Sequence, residues 1–268
     1  MFSVHGKPIR KIRTFDGDTA DYFSNSTRPG SSPLTDIDGD GIPELIIAHN
    51  IGNSGNEYEI YSLAKKAKLL TTWRTSRSSV EFMDVDGDGK CEVLAREYCF
   101  FGWEACNANT PIPLVILKFD STKLVMATDL MRCPAPSVSQ REKMLVSWRK
   151  ACDSAEATFK QLHKDDKCHR YRSKPCMFRL SFEIWSDMLN LIYSGNAKTA
   201  FSMLDEFWKP ATYVSNLEIR EDGVEVKTSR ETFKKMFLKQ LAHSPHLNEI
   251  KEMNSNDPLI RNLKQLKN

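Results

Sequence analysis

The chain has 268 residues, with 40% apolar and 27% charged side chains and a formal net charge of +3. That length suits one large domain or two ordinary ones, and that composition suits a folded soluble protein. No apolar run reaches the ~18 residues of a membrane span, and so small a net charge gives no argument for nucleic acid.

The opening stretch, "MFSVHGKPIRKIRTF", lacks the apolar core of a signal peptide. Either the protein stays in the cytoplasm or a leader has been trimmed. "FDGDTADYF" follows, with Asp16, Asp18 and Asp21. It reads as a plain turn rather than a degenerate ion loop, because the glycines and a fourth acid are missing.

The next segment is the informative one. "DIDGDGIPE" places Asp36, Asp38, Asp40 and Glu44 at positions one, three, five and nine of a loop. Forty-eight residues later "DVDGDGKCE" repeats the pattern with Asp84, Asp86, Asp88 and Glu92. Four carboxylates in so short a stretch repel one another, and a hard divalent cation removes that penalty. Calcium takes six to eight oxygens. The side chains supply four groups, and the carbonyl of Ile42 or Lys90 supplies a fifth. Gly39, Gly41, Gly87 and Gly89 permit the partly left-handed backbone that wraps an ion. Magnesium fits less well, because it holds to a small octahedron and keeps its waters. The bland alternative is an acidic turn without metal, since aspartate and glycine are ordinary turn residues. Two loops with the same acidic positions weigh against it. An EF-hand is excluded: it needs a glutamate at position twelve, where Ile47 and Ala95 stand, and flanking helices rather than strands.

Short strand patterns fill the space between and after the loops: "ELIIAHN", "EYEIYSL", "AKLLTTW", "SVEFM", then "CEVLAREYCF", "PLVILKF" and "KLVMATDL". Alternation at Glu57-Tyr58-Glu59-Ile60-Tyr61 marks a half-buried strand. Two four-stranded units therefore occupy about residues 36–130. Phe100, Phe101 and Trp103 read as core residues, or else as an aromatic partner site.

Pro134 and Pro136 end the strand texture and set a boundary near residue 134. A helix is expected over "QREKMLVSWRKACDSAEATFKQLHK", capped by Ser137 or Ser139. A helical hairpin is expected about Ser194-Gly195-Asn196, with Gly195 at the helix end. Ile184, Trp185, Met188, Leu189 and Ile192 recur at helical spacing. A small β-hairpin turns at Asp222-Gly223, "RETFKKMFLKQLAHS" reads as another helix, and the tail after residue 253 reads as loosely attached. The expected fold class is thus α+β: β-rich residues 1–134 followed by mainly helical residues 135–268. Charge follows the same division, with 15 Lys/Arg against 18 Asp/Glu in residues 1–135, and 23 against 17 beyond.

The seven cysteines form no C-x-x-C pair, so a zinc ribbon is disfavoured. His163, Cys168, His169 and Cys176 crowd together, but their spacing matches no standard zinc site. Cys99–Cys106 and Cys168–Cys176 are the closest candidates in sequence for pairing in an oxidising compartment. None of the nucleophile, zincin or phosphate-loop motifs of common enzymes occurs.

The pattern D-x-D-G-D-G-x-x-E followed by a strand resembles the FG-GAP/VCBS repeat of integrin-type β-propellers and bacterial surface proteins. "FMDVDGDGKCEVLAREYCFFGWEACNANTPIPLVILKF" is similar to bacterial VCBS-repeat proteins, and the likeness covers about residues 30–135. It implies propeller-like antiparallel blades, with calcium held in each loop. Only two blades are visible where propellers close with four to eight. The exposed edges would then be covered by the helical half, by further blades of a longer protein, or by another copy in a homo-oligomer. The expected function is a calcium-binding module for a protein or glycan partner, exported or in the cell envelope, since extracellular calcium modules bind at ~10⁻⁴–10⁻³ M. The alternative is a hydrolase with a site between the β and helical halves.

Overall fold

In a computed structural model, residues 34–51, 55–64, 66–75, 80–101, 103, 110–120, 123–164, 182–208, 218–221, 224–227 and 230–266 are described, with two short stretches at 3–4 and 7–8. Asp16, Asp18, Asp21, Cys106, Cys168, His169 and Cys176, and the side chain of His163, lie outside that set.

The strands are β1 (Ser3–Val4), β2 (Lys7–Pro8), β3 (Leu34–Thr35), β4 (Glu44–Asn50), β5 (Asn56–Ser62) and β6 (Lys68–Thr75). They continue with β7 (Glu81–Met83), β8 (Glu92–Arg96), β9 (Leu114–Asp120), β10 (Lys123–Met126), β11 (Glu218–Glu221) and β12 (Val224–Lys227). The helices are α1 (Thr128–Met131), α2 (Val138–Lys164), α3 (Phe182–Tyr193), α4 (Ala197–Trp208), α5 (Arg230–Leu241), α6 (Leu247–Met253) and α7 (Pro258–Arg261). The protein is mixed α+β, with its helices mostly in the C-terminal part. No closed ring of sheets occurs among the described residues. None of the described helices is long and apolar enough to cross a membrane.

Two compact units divide the chain. The first takes residues 1–96 and 114–130, the second 97–113 and 131–268. The first contains two four-stranded antiparallel meanders, β3-β4-β5-β6 and β7-β8-β9-β10. In β5 the expected alternation holds: Tyr58 and Ile60 are buried while Glu57 and Glu59 are not. Tyr58 stands opposite Trp73 of β6 in register, and the two rings stack with centroids 5.2 Å apart. Each meander opens in the same register, with Thr35 opposite Glu44 and Met83 opposite Glu92. Each acidic loop is therefore the connection between the first and second strands of its meander.

The second unit is built on aromatic and aliphatic side chains at helical spacing. Trp148, Trp185, Met188, Leu189, Phe207 and Phe237 are all at most 1% exposed. Helix α2 starts with a capping box: Ser137 Oγ accepts from Gln140 N–H (3.3 Å), and Gln140 Oε1 accepts from Ser137 N–H (2.8 Å). Helices α3 and α4 form the expected hairpin, with Gly195 at φ +83°. The buried Asn254 clamps that turn, donating to the Ile192 carbonyl (2.8 Å) and accepting from Ala197 N–H (2.8 Å).

The tail corrects an expectation. Asp257 caps α7 by accepting from Leu259 N–H (2.8 Å), Ile260 is fully buried, and Leu266 N–H donates to the Ala242 carbonyl (2.9 Å). The segment after residue 253 is docked because it carries its own cap and anchor.

Candidate metal centre

The two acidic loops adopt the same hydrogen-bonded conformation, bond for bond. In the first, Asp36 accepts from Gly39 N–H (2.7 Å) and Gly41 N–H (2.9 Å), Asp38 from Asp40 N–H (3.1 Å), and Asp40 from Ile42 N–H (2.7 Å). In the second, Asp84 accepts from Gly87 N–H (2.6 Å) and Gly89 N–H (3.1 Å), Asp86 from Asp88 N–H (3.1 Å), and Asp88 from Lys90 N–H (2.8 Å). Glu44 reaches back to Ile37 N–H at 2.8 Å, as Glu92 does to Val85 N–H at 2.9 Å. The glycines make this possible: Gly39, Gly41, Gly87 and Gly89 have φ of +78°, +84°, +80° and +88°, a region costly for residues with a Cβ.

Carboxylate oxygens converge in both loops. One oxygen from each of Asp36, Asp38 and Asp40 lies within 4.8 Å of the others, and the same holds for Asp84, Asp86 and Glu92. Two oxygens on one calcium ion stand at most about 5 Å apart, twice the calcium–oxygen distance, so each group fits a single ion. The donors are all hard oxygens, which favours calcium or magnesium over softer metals. The convergent sets differ in one member: Asp40 joins in the first loop, Glu92 in the second. Ile42 and Lys90 enter through their N–H groups.

Burial sets the electrostatics. Glu44 is 0% exposed and Glu92 is 3% exposed. Burial pushes the Glu44 carboxyl from 4.5 up to about 7; Asp38, Asp40 and Asp36 push the same way, against the bond from Ile37. Glu92 is raised for the same reasons, burial first, then Asp86 and Asp88, against Val85. One oxygen of Glu44, Oε1, is buried without a hydrogen-bond partner. An anionic oxygen sealed from water and given no donor is unfavourable unless a cation supplies the missing charge.

The loops are also neighbours, which their spacing in sequence does not reveal. A Cβ added at Gly39 would meet Lys90 Cγ at 2.8 Å, so the Lys90 stem lies across the first loop. Cys91 feels both loops: burial raises its thiol pKa, and Asp84, Glu92 and Asp36 add to the rise.

A second polar cluster lies in the other unit and escaped the sequence. Glu97, at 4% exposure, accepts from the N–H groups of Tyr98 (2.7 Å) and Cys99 (2.8 Å) and from the Tyr193 hydroxyl. Tyr193 Oη lies 3.1 Å from Ser244 Oγ and 3.8 Å from Cys99 Sγ. Cys99 is a free thiol, and Cys106, its candidate partner, lies outside the described residues. Burial, followed by Glu97, holds that thiol well above its ordinary range, which makes it a poor nucleophile. The cluster's role is structural: it anchors the excursion between β8 and β9. Phe100 from that excursion is 1% exposed and touches the Phe237 ring at a centroid distance of 5.0 Å. Trp103 meets Trp185, also at 5.0 Å. Phe100 is therefore core, while Phe101 and Trp103 are half-buried.

No family model, curated protein or solved structure matches the chain.

Proposed function

We propose that residues 36–44 and 84–92 are paired calcium-binding loops of a binding module for a protein or glycan. In this reading the two meanders are propeller-type blades of the FG-GAP/VCBS kind, and the protein works in the cell envelope or outside the cell, where calcium is abundant. The observation that carries the reading is Glu44: a fully buried carboxylate with one unpartnered oxygen, beside three convergent aspartates. The second loop supports it by bringing three carboxylate oxygens, from Asp84, Asp86 and the buried Glu92, within 4.8 Å of one another.

Calcium then acts as a structural element. It offsets two of the four negative charges in each loop, the loop fixes the first two strands of its meander, and the ordered strands present a constant surface to the partner. Calcium-held carboxylates stay ionised and make poor general acids, so the loops themselves are assigned no proton-transfer chemistry.

The test is calorimetric titration of calcium into EDTA-stripped protein, paired with melting curves. Two bound ions and a rise in stability of about 2.7 kcal/mol at a hundredfold excess over the dissociation constant are expected. Absence of both heat and melting shift defeats the reading. Partner capture with calcium and with EDTA tests the module role separately: capture that is indifferent to calcium contradicts it.

A further inference from the structure

In the second unit, α5 and the docked tail flank an open groove of about 500 Å³. Leu238 of α5 and Leu259, Leu263 and Leu266 of the tail line it with aliphatic surface. Leu259 and Leu266 are 40% and 37% exposed, so this apolar surface faces water. Lysines also line it: Lys235, Lys239 and Lys264, all exposed. Two further charges there are already engaged, Lys234 with Asp205 at 2.5 Å and Glu231 with Arg230 at 2.6 Å.

The groove is built rather than incidental. The tail is tied down by Leu266 N–H to the Ala242 carbonyl (2.9 Å), by Gln265 Nε2 to the Ser244 carbonyl (2.8 Å), and by Lys251 Nζ to the Leu263 carbonyl (2.9 Å). A preformed groove spends little free energy on ordering when it binds.

We propose that this groove docks an amphipathic helix of a protein partner, with aliphatic side chains on one face and carboxylates along its edge. Three points select that occupant. The trough is open, whereas small ligands prefer sites that bury most of their surface. Lys235 and Lys239 are four residues apart on one helix, about 6 Å along its axis, which matches carboxylates spaced the same way on a facing helix. Leu238, Leu259, Leu263 and Leu266 give the trough an aliphatic floor, the surface on which the apolar face of an amphipathic helix is laid. The excess of lysine over free carboxylate makes the partner acidic and speeds encounter.

This goes beyond the calcium reading, and its test runs in EDTA so that either can fail alone. A fluorescein-labelled synthetic helical peptide, leucine at every third and fourth position and glutamate between, is titrated with the full chain and followed by anisotropy. Saturable binding is expected, weakening as salt is raised. The double variant Lys235→Glu/Lys239→Glu is expected to bind about tenfold or more weakly. Leu259→Ser, at a position 40% exposed, is expected to weaken binding as well and serves if the double variant fails to fold. The same peptide with lysine for glutamate is expected not to bind. No saturable binding, equal binding of the lysine peptide, or indifference to both variants overturns the proposal. Tighter binding of dodecanoate than of the peptide also overturns it, in favour of a fatty-anion site.

Discussion

Glu44→Gln separates the cost of the buried acid from its use. In metal-free protein the carboxyl is raised from 4.5 to about 7, so the folded state holds its proton more tightly than the unfolded chain does. Stability from this group is therefore full below about pH 4.5 and is lost as pH rises through about 7. Worked through linkage, ionising Glu44 costs the fold about 3 kcal/mol at about pH 8 and less than about 1 kcal/mol at about pH 5. Glutamine keeps an oxygen for the Ile37 N–H, now 2.8 Å from Glu44, and carries no charge. In EDTA at about pH 8 the variant is expected to be more stable than the wild type by up to about 3 kcal/mol, with the gap nearly closed at about pH 5. In excess calcium the order reverses, because the ionised oxygen that was a burden becomes a ligand. Urea melts at both pH values, with EDTA and with calcium, check all four conditions. A variant that is no more stable than wild type in EDTA at about pH 8, or equally favoured at both pH values, refutes the reasoning.

Other expectations follow from single features. Gly41→Ala and Gly89→Ala occupy equivalent positions at φ +84° and +88° with nothing within 4 Å of the added methyl; each should lose about 1–2 kcal/mol, from backbone strain alone. Unequal losses in urea melts would count against the equivalence of the loops. Tyr193→Phe strips a donor from buried Glu97 and should cost about 1–3 kcal/mol by thermal denaturation; an unchanged melting temperature would show the bond to be idle. Burial lowers the pKa of His246 below 6.5, against the pull of Glu97 and Glu249. Its contribution to stability is full above 6.5 and falls as pH drops below that value, so the wild type should lose more stability than His246→Asn between about pH 7 and about pH 5. Parallel slopes would remove His246 from that account.

The acidic loops were legible because their information is local. Carboxylates at positions one, three and five, with glycines between, leave the backbone one way to satisfy its N–H groups, and both loops take it. The helical hairpin was legible for the same reason, from Gly195 and the spacing of Ile184, Trp185, Met188 and Leu189. The excursion after β8 was not. "CEVLAREYCF" reads as one strand, yet the strand ends at Arg96, where Glu97 turns to accept from Tyr193, 96 residues away in sequence. No periodicity encodes a partner that distant. The tail misled in the opposite direction: it read as loosely attached, but the Asn254 and Asp257 side chains accept from internal N–H groups. The closeness of Lys90 to Gly39 depends on how two meanders pack, and neither loop's own sequence contains it.

Native mass spectrometry of EDTA-stripped protein, after calcium is restored, tests the central claim most directly. Two ions per chain are predicted for the wild type, one for Asp36→Asn/Asp38→Asn, one for Asp84→Asn/Asp86→Asn, and none when both loops are altered. A wild-type chain that retains no calcium, or the same ion count in all four proteins, would contradict the account.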